Sequence, residues 1–515
     1  MTGDAPLAMT TRIEPSTAAD AETTVSPLVS AEQAEQITRQ AQIGTRRPGI
    51  SLAAFPAFLY SFLPYTLTLQ ARLTEGTTLH RVLTLAWPSV MEQSLVTLIG
   101  LVDAYIVGHL GAAALAGVGL GGQVLNLTAA LFGAVGVGAT ALIARSIGAQ
   151  APEEANRLAR QAFLIALSVG VLAAMVAFVF AEPIMRGFGA APDVVVAGSA
   201  WLRVVAPSFA LVGVLLVGTA SLRGAGDTRT PLAVMVAVNV VNVVIALTFT
   251  RGLFGMPKLG VAGSGLGAMS GQVIGGVTVI FLLARGRGPL KLGWRLPRPD
   301  FDRLRRILNI GLPAGAEQVL LQVALVNLAV VIAGFGTAAY AAHQVGLRIS
   351  ALSFLPGWGF SVAATTLVGQ ELGARQPERA RRATYVSFWL ALFVMSSMGL
   401  FLLLFDAPIL RLFTDDAVVI REGAVVIRTC ALIQPVMAAS FVFSGGLRGA
   451  GDTRTTMLIT VGSIWALRLA AAYILGDLLG LGLFGAWLGI GVDFAFRALM
   501  FWLRFRSGKW AALRV

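Results

Sequence analysis

Apolar runs of about 20 residues, long enough to span a bilayer as a helix, recur along this chain between polar and glycine-rich breaks. Coarse hydropathy predicts spans over roughly 80–106, 114–143, 158–181, 194–219, 230–250 and 261–284. Six more follow at 307–333, 339–369, 383–405, 417–444, 456–476 and 483–503. Backbone groups inside lipid find no water, so runs of this length must be helical. The pattern predicts an all-α polytopic membrane protein with twelve transmembrane helices. Ahead of the first span the pattern changes. Residues 1–49 are polar, have the composition of a disordered tail, and lack the charged–apolar–small order of a cleaved signal peptide. Residues 50–78 are apolar as far as Leu73 but broken by Pro56 and Pro64, which predicts an interfacial segment rather than a thirteenth span.

The polar breaks repeat. Residues 222–230 read LRGAGDTRT, and residues 447–455 read the same, 225 positions later. The same offset pairs Pro88 with Pro313, Glu92-Gln93 with Glu317-Gln318, Gly111 with Gly336, Gly148 with Gly373 and Pro152-Glu153 with Pro377-Glu378. One offset held this far predicts two pseudo-symmetric six-helix lobes, an N-lobe at 79–284 and a C-lobe at 307–505. A cytoplasmic linker at 285–306 joins them and a tail at 506–515 follows. Six is even, so the lobes share orientation about an axis along the membrane normal, the design of transporters whose halves rock around a central cavity.

Charge refines this picture. The net charge of +13 would fit a nucleic-acid partner if it were concentrated, but only 13% of residues are charged, against about 25% in globular proteins. Loops on one side and the C-terminal tail carry 23 Lys/Arg and the opposite loops five, which predicts a cell membrane protein with both termini cytoplasmic and no nucleic-acid partner. A single cysteine, Cys430, and three histidines argue against a disulfide framework or a metal site. The phosphate-binding pattern GxxxxGK[ST] is absent, so pumping must draw on an ion gradient, with no cofactor. HExxH and GxSxG are absent as well, which speaks against an enzyme.

Four acids lie inside predicted spans: Glu92, Asp103, Glu317 and Asp493. Ionisable groups at membrane depth are costly and mark functional sites by default. Glu92 and Asp103 share a face of the first span, but only Glu92 has a counterpart, Glu317, in the other lobe; the position matching Asp103 is Leu328. Asp103 is therefore the lead candidate for cation or proton coupling, with Glu317 and Glu92 in support. Asp493 and Arg497, four apart, predict a local ion pair, and Arg348 and Arg468 are candidate partners for Glu317 or an anionic group. Gln123, Asn126, Asn239 and Asn242 predict a polar cavity with Asp103 in the N-lobe, and Gln318, Gln322, Asn327, Tyr340, His343 and Gln344 are the comparable C-lobe set. In the LRGAGDTRT loops Gly suits tight turns, while Asp227 and Asp452 suit helix N-caps. Arg223 and Arg448 are expected to meet those aspartates or lipid headgroups, so the loops read as structural and hinge-like.

The doubled LRGAGDT loops, VDAYIVGHLG at 102–111, and AAHQVGLRIS with SVAATTLVGQELGA in the eighth span resemble the multidrug and toxic compound extrusion (MATE) transporters, over about Leu79 to Arg504. That resemblance implies two V-shaped lobes exporting organic, often cationic, compounds in exchange for protons or sodium. In one branch of that family a first-span Asp is the ion site, which Asp103 matches, and a fifth-span Asn is followed by an Asp four residues on. Asn242 matches, but the Asp position is Ala246. In another branch the ion-binding acids lie in spans seven and ten; here Leu321 stands at the first position, Glu317 a turn earlier, and the tenth span has no acid. Neither ion site is complete. The expected function is proton- or sodium-coupled export of small organic molecules by a monomer in the lipid bilayer. A flippase for lipid-linked precursors is the alternative.

Overall fold

The computed structural model describes residues 77–286, 289–293 and 298–513. The expectations for residues 1–49 and for most of 50–78 lie outside the described residues. Among the described residues, twelve helices are long and apolar enough to cross a membrane: α1 Thr78–Gly108, α2 Ala112–Gly148, α3 Pro152–Val179, α4 Pro192–Gly224, α5 Arg229–Arg251, α6 Val261–Arg285, α7 Phe301–Ala333, α8 Thr337–Gly373, α9 Pro377–Leu404, α10 Ala417–Gly449, α11 Thr453–Leu478 and α12 Gly482–Arg506. Most run past their predicted spans because capping chemistry, not hydropathy, sets a helix end. Pro152 and Pro377 occupy the first turns of α3 and α9, with Glu153 and Glu378 beside the positive helix starts. The end of the expected linker is helical too: Asp300 caps α7 by accepting from the Arg303 N–H, so α7 begins at Phe301.

Small residues let the lobes touch, and they do so in symmetric pairs. Gly311 and Gly315 of α7 approach Ala134 of α2, while Gly359 of α8 approaches Ala86 and Val90 of α1. These positions interchange under the 225-residue offset. So do Gly148 against the Gln370 carbonyl and Gly373 against the Arg145 carbonyl. Such pairs are what a parallel pseudo-twofold requires.

All of these contacts lie in the halves of the helices nearest the basic loops. The hydrogen bonds between lobes lie there too: Thr366 Oγ1 donates to the Arg223 carbonyl, Gln370 Nε2 to the Gly224 carbonyl, and Arg81 pairs with Glu371 at 2.5 Å. In the opposite halves the same helix faces are uncovered, with Leu101 at 56% and Leu352 at 51% exposure. The lobes are sealed at the basic end and part into a cleft toward the other. An added methyl at Gly148 would overlap the Gln370 carbonyl, so Gly148→Ala is expected to unseal this end at a cost of about 1–3 kcal/mol. Reaction of a cysteine at Ala144, which faces Gly369, checks this: the glycine substitution is expected to raise its labelling rate.

Candidate functional site

The LRGAGDT loops hold each lobe together, and each letter has a task. Arg223 pairs with Glu92 of α1 and Arg448 with Glu317 of α7, both at 2.6 Å. Neither arginine meets the motif's own aspartate, and neither Arg348 nor Arg468 is the partner of Glu317, contrary to the sequence expectation. The first motif glycine, Gly224 or Gly449, abuts the backbone of Thr140 or Thr365 where α4 crosses α2 and α10 crosses α8. The second, Gly226 or Gly451, has φ near +90° (93° and 87°), where a side chain is strained. Asp227 accepts from the backbone N–H groups of Arg229 and Thr230 and from Thr230 Oγ1, so it caps α5 from one residue before the cap position. Burial pushes its carboxyl above the ordinary range against those bonds. Asp452 keeps its twin's threonine bond, from Thr455 Oγ1, but caps no backbone N–H and instead accepts from Arg504 Nε at 2.7 Å, tying the loop to α12.

With Glu92 and Glu317 matched, Asp103 is left. It lies on the half of α1 away from the basic loops and faces α5, where Asn242 Nδ2 donates to its Oδ2 at 3.5 Å. Asn239, one turn earlier on α5, is buried and spends its own N–H on the Met235 carbonyl. Among the described residues three buried oxygens here find no hydrogen-bond donor, Asp103 Oδ1, Asn239 Oδ1 and Asn242 Oδ1, as is true of Glu317 Oε2 in the C-lobe. Buried acceptors are rarely left so. What satisfies a set of acceptors and one carboxylate is a proton on the carboxyl or a small cation.

The other expected cavity residues divide between two places. Gln123 is exposed on α2, 11 positions and three turns from Ala134, so it shares the face that meets the C-lobe. Asn126 is exposed one turn on but lies to the side of that face. By the same phase Gln318 and Gln322 continue the α7 face of Gly311 and Gly315 into the cleft, both exposed. These amides line the cleft and do not join Asp103. Tyr340 is partly exposed, Gln344 half-buried, and Asn327 turns its Nδ2 to the Val323 carbonyl. His343 is buried at the C-lobe core, where Trp487 Nε1 donates to its Nδ1 at 3.2 Å.

Two segments of the chain, residues 88–248 and 313–474, match the MatE family model, and they begin 225 positions apart. The chain belongs to the MATE family of multidrug efflux transporters. It is 32% identical over 83% of its length to a probable multidrug resistance protein NorM of Thermotoga maritima, covering 92% of that protein. A probable NorM of Rhodopseudomonas palustris is 31% identical over 83% of the chain and 91% of the relative. A solved outward-facing conformation of a multidrug resistance MATE family transporter superposes with TM-score 0.78 at 25% identity, over 85% of this chain and 98% of that one. The family comprises membrane transporters of small organic substrates, not enzymes.

One MATE-lobe feature escaped the sequence reading. Asp493 does not pair with Arg497 alone: its Oδ2 receives Arg497 Nη2 and Arg468 Nη2, each at 2.5 Å, and Ser463 donates to its Oδ1. All three charges are buried, so the cluster keeps a net positive charge inside the C-lobe. Its N-lobe equivalent is found by packing, not by a constant offset. Gly263 and Gly267 of α6 sit on Phe249 and Ala246 of α5, as Gly485 and Gly489 of α12 sit on Leu475 and on Ala471 and Ala472 of α11. Asp493 then takes the place of Gly271, and its contact with Arg468 that of Gly271 with Asn242. The one-residue slip arises in the π-helical stretch Ile464–Leu469, a π turn being an inserted residue. A charge comparison allowing for that slip would have found the cluster.

Proposed function

We propose that this protein exports small organic molecules in exchange for inward proton flow, with Asp103 as the coupling carboxylate. The observation that carries this is the set of donorless oxygens on Asp103, Asn239 and Asn242. Calcium and magnesium take about six or more oxygens, more than this site offers; a proton needs only the Asp103 carboxyl, and sodium is the second reading. Alternating access follows from the paired lobe contacts: the symmetry that seals the basic end offers an equivalent route to sealing the other. The excess of positive charge on one side supports cytoplasmic termini and, with them, a cleft open outward. In this state Asp103 takes a proton from outside and releases the substrate's hold, and the loaded lobe returns inward. A monomer in the cell membrane suffices, since each polar site forms within one chain. The flippase alternative has no observation in its favour.

The test is uptake of an organic dye into inverted vesicles under an imposed proton or sodium gradient. Uptake driven by the proton gradient and collapsed by a protonophore is expected. Uptake that follows sodium alone, or neither gradient, would overturn the coupling assigned to Asp103.

A further inference from the structure

We propose that Arg348 is a specificity-determining residue that binds an anionic group, carboxylate or sulfonate, on the substrate, so that the cleft selects zwitterionic or anionic amphiphiles over plain cations. This rests on the exporter reading above for the cleft being the substrate path.

Three observations converge on it. First, Arg348 lies 11 positions, three turns, before Gly359 on α8, so it shares the face that packs on Ala86 and Val90 of α1. Beyond the sealed end that face is cleft wall: Arg348 and Leu352 are both exposed. Its twin by the 225-residue offset is Gln123, on the equivalent wall of the N-lobe.

Second, Arg348 is unpaired. The other arginines at membrane depth have acids: Arg223 has Glu92, Arg448 has Glu317, Arg428 has Asp406, and Arg468 and Arg497 share Asp493. Arg348 forms no ion pair or hydrogen bond among the described residues. It stands 11 residues into a 37-residue helix, about 16 Å from its end. A guanidinium kept at that depth without a partner is costly and marks a function. Planar and permanently charged, it is suited to a two-pronged grip on carboxylate or sulfonate.

Third, the surroundings agree in sign. Gln344 is one turn away on α8, and Gln318 and Gln322 reach the cleft from α7, offering amide N–H groups and no acid. Asp103 faces α5 inside the N-lobe, and no acid pairs with Arg348 among the described residues. The Arg468–Asp493–Arg497 cluster adds positive charge within the same lobe.

A matched dye pair tests this: rhodamine B, with a free carboxylate, and its ethyl ester, a plain cation. Efflux and equilibrium binding to the purified protein are both measured, for wild type, Arg348→Gln, which installs the twin's residue, and Arg348→Lys. Wild type is expected to bind and export rhodamine B in preference to the ester. Arg348→Gln is expected to weaken binding of rhodamine B about tenfold or more while leaving the ester within about twofold, and Arg348→Lys to retain part of the preference. Equal losses for both dyes would make Arg348 a structural residue and overturn the proposal, as would no loss for either. Binding that behaves as expected in a protein that exports neither dye would leave the assignment standing and sink the exporter reading instead.

Discussion

Asp103→Asn is expected to insert and fold normally yet to lose proton-gradient-driven efflux by about tenfold or more, the scale on which one site's occupancy couples to another's. The substitution keeps the shape of the side chain and an oxygen for Asn242 Nδ2, so the 3.5 Å contact that links α1 to α5 can persist. It removes only the group that exchanges a proton. Fixed in the neutral form, the lobe no longer distinguishes outside from inside, and a ligand that binds two states equally shifts neither. Substrate binding and equilibration down its own gradient are expected to survive. Glu92→Gln is the contrasting case. It strips Arg223 of its partner and is expected to harm folding, since Glu92 holds α1 to the loop after α4. Full gradient-driven efflux by Asp103→Asn would remove this residue from the mechanism and turn attention to the acids of the C-lobe.

Much of this was legible in the chain because lipid leaves few choices. The twelve spans followed from hydropathy, and helix is the one state open to them. The repeat separated Asp103 from Glu92 because residues doubled in both lobes serve what the lobes share. What could not be read was pairing across helices. Glu92 and Arg223 stand 131 positions apart, as do Glu317 and Arg448. Nothing local in Glu92 or Arg223 announces that an arginine ending one helix reaches an acid in the middle of another. The cavity residues divided for a related reason: Asn242 and Gln123 look alike as isolated amides at membrane depth. Helix phase against the lobe contacts separates them, and phase becomes absolute only once Ala134 is known to face Gly311. The twin of Asn242 was hidden by one inserted residue, which moves Arg468 out of register with a constant offset.

That twin leads to the most destabilising substitution expected here. In the N-lobe the position carries Asn242 beside a carboxylate that exchanges its charge; in the C-lobe the corresponding Arg468 is a guanidinium fixed by Asp493. Under the coupling proposed above, the N-lobe accepts a mobile cation where the C-lobe has a built-in one. The built-in charge makes Asp493 irreplaceable. Its carboxylate is fully buried and accepts from both Arg468 and Arg497, whose side chains are 6% and 8% exposed. Asp493→Asn would leave two buried guanidinia without the carboxylate they share, and a stranded buried charge costs about 3–5 kcal/mol. The variant is expected to express poorly and to melt well below wild type by detergent thermal-shift measurement. Arg468→Gln is expected to be far milder, because it leaves the Asp493–Arg497 pair neutral and the buried site with less charge to stabilise. If the two variants melt alike, the damage comes from lost packing around Phe494, over which both arginines lie, rather than from charge. The contrast between them, more than either loss alone, measures what the net positive charge of the C-lobe contributes.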